Sequence, residues 1–519
     1  MAKFNRAGAR AAVTSPVTTE RAPTGRTHEG APGYVRDAKG ELFLLAVSNM
    51  VGEDTFYERA GERDARYRAL VHQVAVEDGE WLARFLPWLR GTANLRSAPI
   101  VAALEAVRAR LAAGEHGLNR QLVDTVLQRA DEPGEALAYW TSAYGRAIPK
   151  PVKRGVADAV RRLYTERSLL KYDTAGRAFR FGDVIELVHP APDPAKPWQG
   201  ALFEHALDRG HGRGADVPDA LPVVAARARL MAASVRERRE LLPDVGGAGV
   251  TWEALAGWLQ GPMDAAAWEA IIPDMGYMSL LRNLRSFDAA GIAGEVAGRV
   301  AARLTDPAEV AASRQLPFRF YSAYRNAPSP RWGRALDRAL TLATANVPAF
   351  AGRTLVLVDT SASMSSGSIA RRSTVTPVQA AALFGVTLAA RGDRVDLYGF
   401  ADGVFLHPVA AGGSVLAEID RFCARVGEVG HGTRIAESVR RTYAGHDRVV
   451  IVSDMQTMRG GVSESVPERV PVYGFNLGGY RTAAMPAGGW NRHEFGGLSD
   501  ATFRLIPLLE AGTNADWPF

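Results

Sequence analysis

The sequence predicts a protein of two parts, a mainly α-helical part followed by a doubly wound α/β domain. From about Gly40 to Val347, apolar residues recur at helical spacing in many short segments, without convincing strand patterns. After residue 350, short apolar runs typical of buried strands alternate with amphipathic helical segments, as in a parallel sheet covered by helices. A length of 519 residues also exceeds one ordinary core, so two or more domains are expected.

The helical part, residues 31–350, is interpreted as an α-solenoid of the HEAT or armadillo type, because its short helices follow one another through brief polar connections. The repeat period is irregular, so a strict array is not supported. The predicted helices are Glu41–Arg59, Asp64–Leu89, Pro99–Ala113, Asn119–Ala130, Pro133–Tyr144, Val152–Thr165, Val217–Leu242, Thr251–Gln260, Met263–Pro273, Tyr277–Phe287, Gly291–Leu304, Asp306–Ser313 and Pro330–Val347. Gly182–Gly214 is rich in proline and is interpreted as a connector around one short helix, Gln199–Asp208.

The N-terminal residues 1–30 are predicted to form a disordered arm, because they are rich in Arg, Thr, Ala and Pro and lack an apolar segment. A weak nucleic-acid or partner tail is the alternative. No secretory signal and no run of the ~20 apolar residues that a membrane helix needs is present, so we expect a cytoplasmic protein without membrane contact. Cys423 is the single cysteine, and its apolar helical surroundings indicate a core residue rather than a nucleophile.

The α/β domain, residues 351–519, is where the sequence points to chemistry, since ligands bind at the carboxyl ends of the strands in open parallel sheets. Strands are predicted at Arg353–Asp359, Arg394–Phe400, Arg448–Ser453 and Val470–Asn476, with an edge strand at Gly403–Pro408. Helices are predicted at Thr376–Arg391, Ser414–Val426, Gly430–Tyr443 and Ser499–Ala511.

Five oxygen-bearing side chains lie at the ends of these strands and helices. The first strand runs into D-T-S-A-S, which holds Asp359, Ser361 and Ser363; Thr433 follows in G-H-G-T, and Asp454 follows the strand Arg448–Ser453. Two carboxylates and three hydroxyls are hard donors that suit Mg2+ or another hard divalent cation. For D-T-S-A-S alone, a solvated turn is an equally good interpretation. The site lacks an obvious general base, so binding is favoured over catalysis.

A second feature is the basic segment Tyr144–Arg180, in which ten Lys and Arg face three acidic residues, for a local net charge of +7. A clustered cationic helix face is typical of contact with a phosphate backbone, although a single charged run is more often a solvated face. The candidates for contact with a phosphate backbone here are Arg146, Lys150, Lys153, Arg154, Arg161 and Arg162, several of which share one helical face.

The α/β domain resembles a von Willebrand factor A domain, because D-x-S-x-S, the later Thr433 and the later Asp454 match its metal-ion-dependent adhesion site in order. Most of the chain, from about Gly40, resembles a bacterial member of the Ro autoantigen family, whose helical part is the TROVE module. The stretches that carry this resemblance are R-S-A-P-I-V-A-A-L at 96–104, A-Y-G-R-A-I-P-K-P-V-K-R-G-V-A-D at 143–158, D-V-I-E-L-V-H-P-A-P at 183–192, M-S-L-L-R-N-L-R-S-F at 278–287 and L-P-F-R-F-Y-S-A-Y at 316–324.

The resemblance implies a ring of HEAT-like helices closed by the von Willebrand domain. It implies small Y-like RNAs bound on the outer surface, 3′ ends of misfolded RNA in the cavity, and cooperation with a 3′-to-5′ exoribonuclease. By position, Lys171 and His189 match the family's Y RNA contacts, with His189 the clearer match. Arg96, Arg282, Arg285 and Arg319 are candidates for the cavity wall, and for Arg282 and Arg285 a structural role is the alternative. We expect a monomer and no DNA partner.

Three functions are therefore distinguished. The first is a non-catalytic RNA-binding scaffold in RNA quality control, maturation or decay. The second is a metal-dependent protein–protein adaptor, which rests on the metal constellation alone. The third, a metal-dependent hydrolase, has the weakest support, since no base and no second metal site is apparent.

Overall fold

The computed structural model describes residues 13–48, 54–213, 216–327, 329–345, 347–369, 373–410, 412–497 and 503–519. Residues 1–12, 49–53, 214, 346 and 499–502, which several predicted segments include, lie outside the described residues. The chain has the two predicted parts, a helical part and an α/β part built on a six-stranded sheet.

The helical part consists of short helices that pack on near neighbours in the sequence, so that its core forms from local contacts. In chain order, the helices are α1 (Ala38–Ser48), α2 (Ala60–Glu77), α3 (Gly79–Gly91), α4 (Ser97–Ala112), α5 (Asn119–Val126), α6 (Glu132–Tyr144), α7 (Lys150–Leu163), α8 (Glu166–Tyr172), α9 (Phe181–Val188), α10 (Gln199–Gly210), α11 (Pro222–Met231), α12 (Trp252–Leu259), α13 (Ala265–Ile271), α14 (Tyr277–Ala290), α15 (Gly294–Thr305), α16 (Pro307–Ser313), α17 (Pro317–Asn326) and α18 (Pro330–Ala343). Helix α2 packs on α4, α5 on α7, and α9 on α10.

Several predicted helix bounds are wrong. The predicted helix Asp64–Leu89 is two helices, because Asp78 interrupts it and its carboxylate accepts the backbone N–H of Trp81 at 3.0 Å. Pro87 lies inside α3 instead of ending it. The predicted connector Gly182–Gly214 includes most of α9, whose eight residues are too few to show a clear period. The predicted helix Val217–Leu242 ends at Met231.

The α/β part is a sheet of order β5-β4-β3-β6-β7-β9, in which only β5 is antiparallel. The strands are β1 (Gly25–Arg26), β2 (Pro32–Val35), β3 (Arg353–Asp359), β4 (Arg394–Phe400), β5 (Val404–Leu406), β6 (Arg448–Ser453), β7 (Val472–Asn476), β8 (Thr482–Ala483) and β9 (Arg492–Gly496). The helices are α19 (Ala362–Ser365), α20 (Pro377–Arg391), α21 (Val415–Cys423), α22 (Ile435–Thr442) and α23 (Leu505–Glu510). The predicted edge strand is present as β5, whereas β9 was missed.

Alternate residues of the central strand β3 face opposite cores, as a sheet covered on both faces requires. Val356 and Val358 pack in the core that contains α20 and α21, and Leu355 and Leu357 pack in the core that contains α22. Cys423 ends α21, where burial raises the pKa of its thiol to about 12. Cys423 is half-buried and packs against the edge of this core, so its interpretation as a core residue stays a prediction.

The prediction of a disordered arm is wrong for residues 13–30, which pack on the α/β part. Strands β1, β2 and β8 form a small antiparallel sheet, and Val17 is fully buried. Just after β2, the Arg36 guanidinium forms a buried bidentate ion pair with Glu494 of β9, with Nε–Oε2 at 2.7 Å. The composition of this segment misled the prediction, because its buried apolar residues are isolated ones. The polar residues of the segment instead form hydrogen bonds with the α/β part.

The C-terminal residues cross in the other direction and pack on the helical part. Trp517 lies 5.2 Å from the ring of Phe43 in α1, and Phe519 lies 5.4 Å from the ring of Trp81 in α3. The α/β part also contacts both ends of the helical part. Helix α1 lies against β9, while helix α18 meets α21, where Ser414 donates to Asp337 at 3.1 Å.

Candidate metal site and RNA-binding surfaces

The two predicted carboxylates meet at the carboxyl edge of the sheet, because they end adjacent parallel strands. Asp359 is the last residue of β3, and Asp454 directly follows β6, its hydrogen-bonded neighbour. Both are buried, with 0% and 3% of their surface exposed. Ser361, Ser363 and Thr433 are also buried. The structure thus buries all five sequence-predicted donors in the part of the fold where ligands bind.

Hydrogen bonds fix the Asp359 carboxylate. Its Oδ1 accepts the backbone N–H of Ser361 at 2.9 Å, and its Oδ2 accepts the hydroxyl of Ser453 at 2.5 Å. The hydroxyl oxygens of Ser361 and Ser363 lie 3.2 Å apart. Ser453 was not among the predicted residues, although it is the last residue of the strand that precedes Asp454.

Asp402 organises the loop that brings Thr433 to the site, and sequence reasoning missed it. Its Oδ2 accepts the backbone N–H groups of His431 at 3.1 Å and Gly432 at 3.0 Å. The amide of Gly432 lowers the pKa of Asp402. A Cβ at Gly430 or Gly432 would lie within 2.5 Å of an Asp402 carboxylate oxygen, so the G-H-G-T loop needs its glycines for this close approach. The missed signal was F-A-D, a third carboxylate just after a strand of this sheet.

We expect Asp402→Ala to weaken Mg2+ binding on the order of 10-fold without unfolding the protein, because it releases the loop that holds a donor rather than the donor itself. Isothermal titration with Mg2+ checks this. Asp393→Ala, an exposed residue just before β4, is the matched control and should bind Mg2+ as the unaltered protein does. Equal affinities for the two variants would show that Asp402 does not support the site.

The carboxylates of Asp359 and Asp454 carry an uncompensated charge. Burial raises the pKa of both, and their mutual repulsion raises that of Asp454 further. Asp454 Oδ1 accepts the backbone N–H of Gln456 at 3.1 Å, while its buried Oδ2 has no hydrogen-bond partner among the described residues. A buried acceptor without a partner and a buried pair of like charges both favour a bound cation.

The donor set fits a hard divalent cation. Asp359, Ser361, Ser363, Thr433 and Asp454 would hold it, and when bound it would supply an open coordination position for an anionic ligand. Among the described residues, no three His, Cys, Asp or Glu side chains are grouped so that they could hold a metal ion, so the candidate site rests on two carboxylates and three hydroxyls. Beside the site lies a cavity of about 220 Å3, lined by Phe56, Ser363, Met364, Asp454, Leu477 and Tyr480 among others.

The predicted basic face is present on α7, but it contains fewer unpaired cations than the charge count over the sequence indicated. Val152, Val156 and Val160 bury one side of the helix, and Lys150 and Arg154 are exposed on the other. The exposed Arg162 instead pairs with Asp124 of α5 at 2.5 Å. Other acids outside the segment neutralise more of its charge, with Arg177 bonded to Asp131 and Glu135. The remaining cationic surface, here called the α7 face, consists of Arg146, Lys150, Lys153 and Arg154.

Arg282 and Arg285 on α14 and Arg319 on α17 line one cavity of about 340 Å3, here called the arginine cavity. Burial lowers the pKa of Arg319, and the nearby like charge of Arg282 lowers it further. Among the described residues, no carboxylate forms an ion pair with any of the three. Unpaired arginines held together favour an anion between them.

The remaining candidates are scattered. Arg96 is bonded to Asp131, Glu132 and Glu135, so its charge is already compensated. Lys171 is exposed and lies over the ring of Tyr172, 5.1 Å from its centre. Lys171 also lines a cavity of about 180 Å3, and Trp252 forms another part of its wall. The exposed His189 ends α9 with a φ of 49°. Arg161 is half-buried on α7.

Comparison with known proteins agrees with this architecture. A family model of the TROVE domain matches residues 250–329, which include α14 and most of the arginine cavity. The crystal structure of the Deinococcus radiodurans Ro (RSR) protein superposes with a TM-score of 0.59 at 19% identity, over 88% of this chain and 96% of that one. No curated protein sequence matches the chain. Residues 250–329 therefore resemble a TROVE domain, and the chain shares the fold of that Ro protein.

Proposed function

We propose that the protein binds RNA through two separate cationic surfaces and acts without catalysis in RNA quality control, maturation or decay. The observation that carries the proposal is the arginine cavity, where three guanidinium groups converge without a carboxylate partner among the described residues. Its cavity of about 340 Å3 has room for a phosphate group and part of a nucleotide. Arginine is suited to phosphate because its planar fork makes paired hydrogen bonds.

The arginine cavity is proposed to hold single-stranded RNA, including the 3′ ends of misfolded RNA. The α7 face is proposed to hold small structured RNAs of the Y type, since it is largely exposed and free of ion pairs among the described residues. Lys171 and His189 are proposed to extend this second surface, and the exposure of both supports that role. Cooperation with a 3′-to-5′ exoribonuclease rests on the family resemblance alone.

We also propose that the two parts close into a ring. The contacts of α1 with β9 and of α18 with α21 support this, because the α/β part touches the first and last helices of the helical part. A ring would separate an outer RNA surface from an inner one. No helix among the described residues is long and apolar enough to cross a membrane.

Replacing Lys150, Lys153 and Arg154 together by Gln is expected to weaken binding of an RNA hairpin about 10- to 100-fold at low salt, because phosphate contacts are lost. The salt dependence of the affinity should fall with each lost contact. Affinity is measured by fluorescence anisotropy at several salt concentrations. Binding of a short single-stranded RNA should stay unchanged. Arg120→Gln removes a nearby charge that is already paired with Asp158 and serves as the control. An unaltered hairpin affinity in the triple variant would exclude the α7 face.

A second function, metal-dependent binding of an acidic protein partner, is favoured by the metal site itself. Two carboxylates and three hydroxyls leave a bound divalent cation with an open position that a partner's carboxylate could take. The adjoining apolar cavity, with Phe56 and Leu477 in its wall, supports a partner that also buries an apolar side chain. If a partner is found by crosslinking, Asp359→Ala should abolish its binding and leave RNA affinity intact.

A further inference from the structure

The turn at residues 27–31 is anchored directly beside the metal site. Thr27 donates its hydroxyl to the carbonyl of Thr457 at 2.7 Å, and the backbone N–H of His28 donates to the side chain of Gln456 at 2.8 Å. The backbone N–H of Gln456 in turn donates to Asp454 Oδ1. Two hydrogen bonds therefore connect this turn of the N-terminal segment to a candidate metal ligand.

The turn presents Glu29 to the site. The Glu29 carboxylate accepts a hydrogen bond from the phenol of Tyr57, whose ring stacks on His28 at 4.8 Å and meets Tyr480 edge-on at 5.4 Å. The phenol also interacts with the hydroxyl of Ser363. Tyr57 thus stands between Glu29 and a candidate metal ligand, within an aromatic cluster that fixes both.

The charge of Glu29 reaches both buried carboxylates, since it contributes to the raised pKa of Asp359 and of Asp454. Glu29 therefore lies near the two buried carboxylates, although the three side chains are not grouped as metal ligands in this structure. Glu29 itself is only half-buried, so its side chain has room to turn. A bound cation would attract it more strongly than the neutral phenol does.

We propose that Glu29 is a built-in carboxylate ligand of the metal site, which takes the position left open for a partner's acidic side chain. The proposal rests on the metal site described above. When the cation binds, Glu29 exchanges the Tyr57 phenol for the cation, directly or through one water. An external carboxylate must then displace Glu29, so the N-terminal segment holds the site closed against weak acidic ligands.

The test uses the full chain with Mn2+ as the metal and acetate as the external carboxylate. Glu29→Gln keeps the shape and the hydrogen-bond acceptor but removes the charge. We expect it to weaken Mn2+ binding about 10-fold, because the number of charged ligands sets the affinity of such sites. Once the variant is saturated with Mn2+, acetate should bind about 10-fold more tightly than to the unaltered protein, since its competitor is gone. Titration calorimetry gives the metal affinity, and the Mn2+ electron paramagnetic resonance spectrum reports acetate binding.

Two further variants make the result specific. Glu20→Gln removes an exposed acid from the same segment and should behave as the unaltered protein in both titrations. Tyr57→Phe releases Glu29 from the phenol, so it should bind Mn2+ at least as tightly as the unaltered protein. If Tyr57→Phe instead weakens Mn2+ binding as much as Glu29→Gln does, Glu29 only positions Tyr57 and the proposal is overturned.

The failures of the two proposals are distinguishable. Unaltered protein that binds no Mn2+ would overturn the metal site, and the role of Glu29 with it. Mn2+ binding by the unaltered protein, together with unchanged Mn2+ and acetate affinities in Glu29→Gln, would overturn only the role of Glu29. A melting temperature measured for each variant confirms that the comparison is made on folded protein.

Discussion

Asp454→Asn is expected to abolish Mg2+ binding and at the same time to make the metal-free protein more stable. The substitution removes one of two buried carboxylates, and with it the burial and the repulsion by Asp359 that raise the pKa of Asp454. In EDTA the free energy of unfolding should rise by roughly 1–2 kcal/mol, the scale of about one pKa unit. A loss of stability in EDTA would show that Asp454 is compensated in the metal-free fold.

With Mg2+ the order of stabilities should reverse. A ligand at 100 times its Kd stabilises the folded state by about 2.7 kcal/mol, and only the unaltered protein can gain this. Urea unfolding with EDTA or with Mg2+ gives the four free energies, and Asp393→Asn, far from the site, is the control. Equal stabilisation of Asp454→Asn and the unaltered protein by Mg2+ would place the cation elsewhere.

The second large effect concerns the arginine cavity. Replacing Arg282, Arg285 and Arg319 together by Gln is expected to weaken binding of a single-stranded RNA about 100-fold or more at low salt, because three phosphate contacts are lost together. The slope of log K against log salt should fall by about 2, since each single-strand contact contributes about 0.7. Anisotropy titrations of a labelled oligonucleotide at several salt concentrations measure both quantities.

A matched triple variant separates this local effect from the loss of net charge. Arg299, Arg334 and Arg338 are exposed and do not line the cavity, so their replacement by Gln changes the net charge equally. We expect that control to lower the affinity only slightly. Similar losses in both triple variants would mean that RNA responds to the overall field and not to the cavity.

The metal donors could be predicted from the sequence because each lies beside a strand or a glycine turn with a strong local pattern. Asp359 and Asp454 follow apolar runs, and parallel strands bring such ends together without any knowledge of side-chain packing. Thr433 could be placed by its motif, but its support by Asp402 depends on a loop-to-loop contact between separate segments. The position of Glu29 near the site, where it is bonded to Tyr57, has no local signal in the sequence.

The basic surfaces show where sequence reasoning fails. Counting charges from Tyr144 to Arg180 took no account of Asp124, Asp131 and Glu135, which are distant in sequence and adjacent in space. For the same reason, Arg96 was a candidate RNA contact by sequence, although three carboxylates compensate its charge in the structure. Conversely, Arg282 and Arg319 lie on different helices, and only packing of α14 on α17 joins them. The net charge of a surface depends on which side chains the fold brings together, and a charge count over one segment does not include them.

The N-terminal segment packs on the α/β part, and the C-terminal residues pack on the helical part. This exchange affects how the protein can fold during synthesis and how it can be divided into fragments. The aromatic cluster around Phe43 and Trp81 includes Trp517 and Phe519, so this first helical layer stays incomplete until residues 517–519 have left the ribosome. Residues 13–36 likewise wait for β9 before Arg36 can pair with Glu494. Each fragment produced by a cut near residue 350 would therefore lack a part of its core. We expect neither fragment to fold stably alone, and co-expression of the two fragments to restore folding.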